Sequence, residues 1–236
     1  MLDEVRERLR AVATPERAAG AQRFFKTGPG EYGEGDKFLG VTAPDLRLLT
    51  RQFGALPLRD VRKLLISEWH EERVLALLIL VRQYERGDQP VRDAIYDAYL
   101  RSTRHINNWD LVDCSAAQNV GAHLAAKSRA PLRQLAKSSS LWERRIAIIA
   151  TFHFIRRGEY DETLRIAEVL LADRHDLIHK AVGWMLREVG SRDRSAEERF
   201  LDAHAATMPR TMLRYALEKF PDGVRGRYLR MRSKPV

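Results

Sequence analysis

Residues 100–113 read LRSTRHINNWDLVD, and the register of this stretch with three others decides the fold. Leu64, Leu100, Leu135 and Leu171 stand 36, 35 and 36 residues apart. Nine positions past each come Arg73, Trp109, Arg144 and Lys180. Three further on are Ala76, Val112, Ala147 and Gly183, followed directly by Leu77, Asp113, Ile148 and Trp184. A period in the mid-thirties marks stacked helix pairs, each burying its apolar face only against its neighbours. The second repeat departs twice. Trp109 replaces a basic residue, and Asp113 replaces a large apolar one. Four residues apart, the two share one helix face. A carboxylate where the repeat wants a core or groove residue calls for a reason.

Outward from this stretch, helical periodicity dominates. Leu2, Val5, Leu9 and Val12 form an opening stripe, and Pro15 suits the start of a second helix ending near Lys26. TGPGEYGEGD, residues 27–36, holds four glycines, a proline and three acids, and reads as a loop. Thr42, with Pro44 and Asp45 after it, reads as a helix start with its cap. Helices then follow with short breaks at Leu56–Pro57, Gly87–Asp88, Ser128–Pro131, Ser138–Ser140, Gly158, Asp173 and Gly190–Asp193. Ile146–Ile155 is β-branched, but its length and its place in the repeat favour a buried helix. The expectation is an all-α chain, an α-solenoid of HEAT-like helical repeats with a concave basic groove. No linker interrupts the repeat, so residues 1–236 read as one domain.

The chain carries 41 Lys plus Arg against 32 Asp plus Glu, a net charge of +9, with a pI near 9.9. Such a balance favours nucleic acid as partner where the charge clusters. Arg73, Arg144 and Lys180 recur at one phase, with Arg145, Arg187, Arg210 and Arg214 extending the charge. A phased basic column suits phosphates, each of which releases counterion when neutralised. The competing reading pairs each arginine with the acid before it, Glu72 with Arg73 and Glu143 with Arg144.

The single cysteine, Cys114, excludes an intrachain disulfide and a cysteine zinc site; it reads as a small core residue. His175 and His179 lie four apart on one face and could hold a metal, but no cysteine stands near them. No metal and no cofactor is expected. The apolar runs are too short to span a bilayer, and no signal-peptide core opens the chain. The expected protein is cytoplasmic and monomeric, with no membrane partner.

Trp109 and Asp113 on one face, Trp142 beside Arg144 and Arg145, and Trp184 three residues before Arg187 suggest a carboxylate with two indoles ringed by arginines. Such a site suits a cation, because an indole face and a carboxylate both attract positive charge. Asp110, one position past Trp109, reads instead as a helix-start acid after Asn107 or Asn108.

INNWDLVD (106–113), LWERRIAI (141–148) and HKAVGWMLRE (179–188), in this order in a basic helical chain, resemble the AlkC/AlkD superfamily of HEAT-like-repeat DNA alkylation-repair glycosylases. KFLGVTAPDLR, HEERVLALLIL and MPRTMLRYALEKF resemble it too, so the likeness runs from about Phe24 to Arg214. The resemblance implies an activity, hydrolysis of the N-glycosidic bond of cationic N3- or N7-alkylpurines in double-stranded DNA. It further implies that Asp113 is the catalytic carboxylate, with Trp109 and Trp184 contacting the lesion nucleotide and Arg145 and Arg187 the DNA backbone. Phe24 aligns where the best-known members carry a tyrosine, and the 27–36 loop is longer than theirs. Lys180, in the basic column, is expected on phosphate rather than as a Schiff-base lysine, so the expected enzyme is monofunctional. The alternative is a non-catalytic repeat protein that binds distorted or branched duplex.

Overall fold

The computed structural model describes residues 1–231, and among them every named element is helical. Among the described residues the only β-type contact is an isolated bridge between Lys37 and Trp69. The chain divides into two compact units, Met1–His123 and the residues from Leu124 onward.

The first unit contains α1 (Leu2–Val12), α2 (Pro15–Phe24), α3 (Ala43–Gln52), α4 (Leu58–Leu65), α5 (His70–Arg86), α6 (Gln89–Leu100) and the short α7 (Trp109–Asp113). Its starts are set by local chemistry. Thr14 and Thr42 accept the backbone N–H groups of Arg17 and Asp45, and Asp88 that of Val91; these caps satisfy donors that a helix start leaves open. α5 is the hub, packing on α3, α4 and α6. Its apolar run Leu75–Leu77 and Ile79–Leu80 is fully buried.

The second unit contains α8 (Ala130–Leu135), α9 (Leu141–Ala150), α10 (Phe152–Ile155), α11 (Asp161–Val169), α12 (Asp176–Gly190), α13 (Arg194–His204), α14 (Arg210–Ala216) and α15 (Asp222–Arg230). Here α12 is the hub, against α9, α13 and α14. Ser140 and Asp193 cap α9 and α13.

The repeat columns acquire physical meaning. Ala76, Val112, Ala147 and Gly183 are all buried. At Gly183 a Cβ would lie 2.4 Å from the Met212 carbonyl oxygen and 2.5 Å from Tyr215 Cβ, so α12 and α14 approach through the missing side chain. In the next column Leu77 and Ile148 are buried, whereas Asp113 and Trp184 are half-exposed. The second repeat is irregular after Asp113. Ser115 Oγ donates to the Leu111 carbonyl at 2.5 Å, a back-bond that competes with the helix ladder. The chain then takes a π-helical turn over Ala117–Gly121. Residues 109–127, without a break in the sequence reading, are therefore not one helix.

The basic column is largely a fastening device. Arg73 Nη1 donates to the carbonyls of Ser67 (2.9 Å) and Glu68 (3.3 Å), and Nη2 meets Asp36 at 2.7 Å. Arg144 Nη1 donates to the carbonyls of Ser138 and Ser139, both at 2.9 Å, and Nε meets Asp173 at 2.6 Å. Each arginine thus clasps carbonyls five and six residues back, in the turn before its own helix, and takes one aspartate. Pairing with an acid is correct, but Glu72 and Glu143 are not the partners. Glu72 holds Arg6, and Glu143 accepts from the Ser138 hydroxyl.

Candidate functional site

Asn108 sits at the start of α7 and accepts the Trp109 N–H at 2.8 Å. α7 is one turn long, and both Trp109 and Asp113 are half-exposed upon it. Trp109 is held from one side by aromatic rings. Phe25 stacks on it at 5.4 Å and 28°, and Phe24 meets it edge-on at 5.9 Å. Phe25 also stacks on Phe38 at 5.2 Å and lies 4.9 Å from the His70 ring. Phe24 itself is 65% exposed, so its ring edge meets Trp109 while much of the side chain faces solvent.

Beneath this aromatic layer lies a buried charged network. His70 opens α5 with Nδ1 3.2 Å from Asp36 Oδ2 and Nε2 2.8 Å from Asp110 Oδ2. Burial works against an imidazolium, but the hydrogen bonds to Asp110 and Asp36 outweigh it and raise the pKa to about 9. Both ring nitrogens then carry protons and both donate. Asp36 is also buried, which favours its neutral form. The His70 hydrogen bond and the Arg73 charge prevail and hold its carboxyl below the usual range. Asn107 and Asn108 add side-chain donors to Asp36, each at 3.4 Å. The last residue of the 27–36 loop is therefore an anchor for the turn that presents Trp109. The rest of that loop closes on itself, with Glu31 accepting from Gly28 N–H and Glu34 from Gly30 N–H, each at 2.9 Å.

Glu71, next on α5, accepts backbone N–H groups from Leu39, Gly40 and Val41 at 2.9, 2.7 and 3.3 Å. All four residues of His70–Arg73 are buried. The sequence reading missed His70, Asp36 and Phe25. The available signal was HEER itself: four ionisable residues directly before the apolar run Val74–Val81 of the same helix must be buried and paired or else solvated.

Arg73, expected on DNA phosphate, is corrected: at 4% exposure and bound to Asp36, it serves the loop anchor. Arg144 is committed to Asp173 and two carbonyls as described. Arg145, also expected on the DNA backbone, is 5% exposed and donates to the Leu177 carbonyl at 2.6 Å. Lys180 pairs with Asp176 at 2.7 Å and keeps 39% side-chain exposure. In the second unit Trp184 is half-exposed beside Phe152, with ring centres 6.1 Å apart. Arg187 pairs with Glu218, and Arg214 is exposed. His175 and His179 serve the start of α12: His175 accepts the Leu177 N–H and His179 bonds the Asp173 carbonyl. Among the described residues no group of three or more His, Cys, Asp or Glu side chains has metal-site geometry, and no helix is long and apolar enough to cross a membrane.

No curated protein matches the sequence significantly. A solved structure described as a predicted DNA alkylation repair enzyme from Enterococcus faecalis shares the fold, with TM-score 0.70 at 17% identity over 89% of this chain and 97% of that one. A family model for DNA alkylation repair enzymes matches residues 5–220, nearly the whole sequence, and the chain belongs to that family.

Proposed function

We propose that the protein is a monofunctional DNA glycosylase that releases cationic N3- and N7-alkylpurines from double-stranded DNA. The observation that carries this reading is α7: an indole and a carboxylate, both half-exposed, one turn apart on a helix whose start is pinned by a buried ion network. An alkylpurine lesion bears positive charge, so its glycosidic bond breaks with the electron pair leaving on the base. The sugar is left oxocarbenium-like. Asp113 stabilises that cation and positions the water that adds at C1′, whose proton passes to solvent. A preorganised carboxylate at developing positive charge is a strong catalytic device. The Trp109 face suits the cationic base and sugar. By motif resemblance Trp184 contacts the lesion nucleotide as well, with Phe24 on the lesion side. Arg187, Lys180 and Arg214, each with some exposed surface, are the backbone contacts we retain.

The fate of the strand tests the chemistry. Methylated duplex treated with wild-type protein should keep an intact strand containing an abasic site, cut only by later alkali. Borohydride should trap no protein–DNA adduct. Trapping at Lys180 would contradict the monofunctional reading. Salt-sensitive binding without abasic sites would assign a non-catalytic duplex binder instead.

A further inference from the structure

A cleft of about 590 Å³ lies in the first unit near the end of α5 away from His70, about 18 Å along the helix, and the glycosylase reading does not use it. The end of α3, the turn before α4, the last turns of α5 and the start of α6 form its walls. Leu58, Val91 and Ile95 give it an apolar lining, with Val91 42% exposed. Arg51, Arg82 and Arg86 stand on the same lining, and no carboxylate does.

That triad departs from the habit of the chain. Elsewhere arginines are paired: Arg6 with Glu72, Arg73 with Asp36, Arg133 with Glu162 and Arg144 with Asp173. Among the described residues none of the three cleft arginines has a side-chain hydrogen bond or an ion pair. Like charges converging on one recess repel, and an anionic partner removes that cost. The recess is also built. Gln83 Nε2 donates to the carbonyls of Gly54 and Leu56 at 3.0 and 2.7 Å, which fastens the turn before α4 onto α5. Arg82 lies across Gly54, where a Cβ would sit 2.6 Å from its Nε and 2.7 Å from its Cδ. The missing side chain is the seat of the arginine.

The occupant has to meet both the charge and the apolar surface. A duplex backbone meets the charge but brings nothing apolar to cover Leu58 and Val91. A peptide with one large apolar side chain among carboxylates meets both. Guanidinium forks match carboxylates, and arginine clusters recognise acidic motifs. We propose that this cleft docks an acidic peptide segment of a partner protein. One leucine or phenylalanine inserts against Leu58, Val91 and Ile95, and the flanking carboxylates lie on Arg51, Arg82 and Arg86. The inference stands apart from excision, because its test needs no lesion and no released base.

Fluorescence anisotropy of the full chain with labelled hexapeptides, aspartates and glutamates around a single leucine or phenylalanine, should show saturable binding. Arg51→Ala with Arg86→Ala, both at exposed positions, should weaken it roughly tenfold or more. Val91→Asp, exposed in the first turn of α6, should abolish it by setting a like charge in the cleft. Both variants should keep the wild-type melting temperature and the wild-type affinity for duplex DNA. No binding by any of the peptides at millimolar concentration would overturn the proposal. So would equal affinity in wild type and variants, or equal affinity once serine replaces the apolar residue. Loss of duplex affinity in the same variants, with duplex displacing the peptide, would assign the cleft to DNA and overturn it as well.

Discussion

His70 bears more of the site's architecture than any residue that faces solvent. Its imidazolium joins Asp36, at the end of the 27–36 loop, to Asp110, on the helix that carries Trp109. Its pKa stands at about 9 in the folded chain against about 6.5 unfolded. The raised value means stabilisation that is complete below about pH 6.5 and lost as pH climbs through about 9. It amounts to on the order of 3 kcal/mol. Asp36 behaves oppositely: its lowered pKa gives stability that is present above the ordinary aspartate value and disappears as acid protonates it. Denaturant unfolding of wild type and His70→Gln from about pH 6 to 10 should show the gap between them shrinking as pH rises. A gap that stays constant would remove the charged imidazole from the account. That Trp109 and Asp113 share one helical turn was legible in the sequence, because both break a repeat. His70, Asp36 and Phe25 were not, because their importance lies in contacts between segments over thirty residues apart.

At the scale of elements, the helix starts were readable from side-chain chemistry. Thr42, Asp88, Ser140 and Asp193 stand at breaks seen in the sequence and cap the helices that follow. The interruption after α7 was not readable, since one serine hydroxyl bonding back to Leu111 leaves no periodic trace. Within the basic column, Arg73 and Arg144 clasp the carbonyls of the turns before their helices, whereas Lys180 pairs with Asp176 and keeps exposed surface. Close approach of elements depends on particular small residues. Gly40 has φ +85°, and a Cβ there would lie 2.2 Å from the Thr14 carbonyl oxygen. Gly40→Ala should cost about 2 kcal/mol or more, read as a lower unfolding midpoint. Gly183→Val, which copies the second repeat's residue into the fourth, should lower stability by about 1–3 kcal/mol by forcing α12 from α14. A neutral result at Gly183 would mean that the helices part without cost.

At the scale of the whole chain, the net charge of +9 overstates the cation available to DNA. Arg73 and Arg145 are buried, and Arg144 is held by Asp173. Exposed residues such as Arg214 carry the field instead. Arg214→Ala should weaken binding to any duplex alike and reduce the slope of log affinity against log salt by about 1. An unchanged slope would place Arg214 off the DNA. The central claim concerns one carboxylate. Its most direct test is chromatography of the base freed from duplex DNA containing 7-methylguanine, comparing wild type with Asp113→Asn at matched DNA occupancy. The account predicts release by wild type and none above background by the variant, with binding retained. Equal release by both would contradict it.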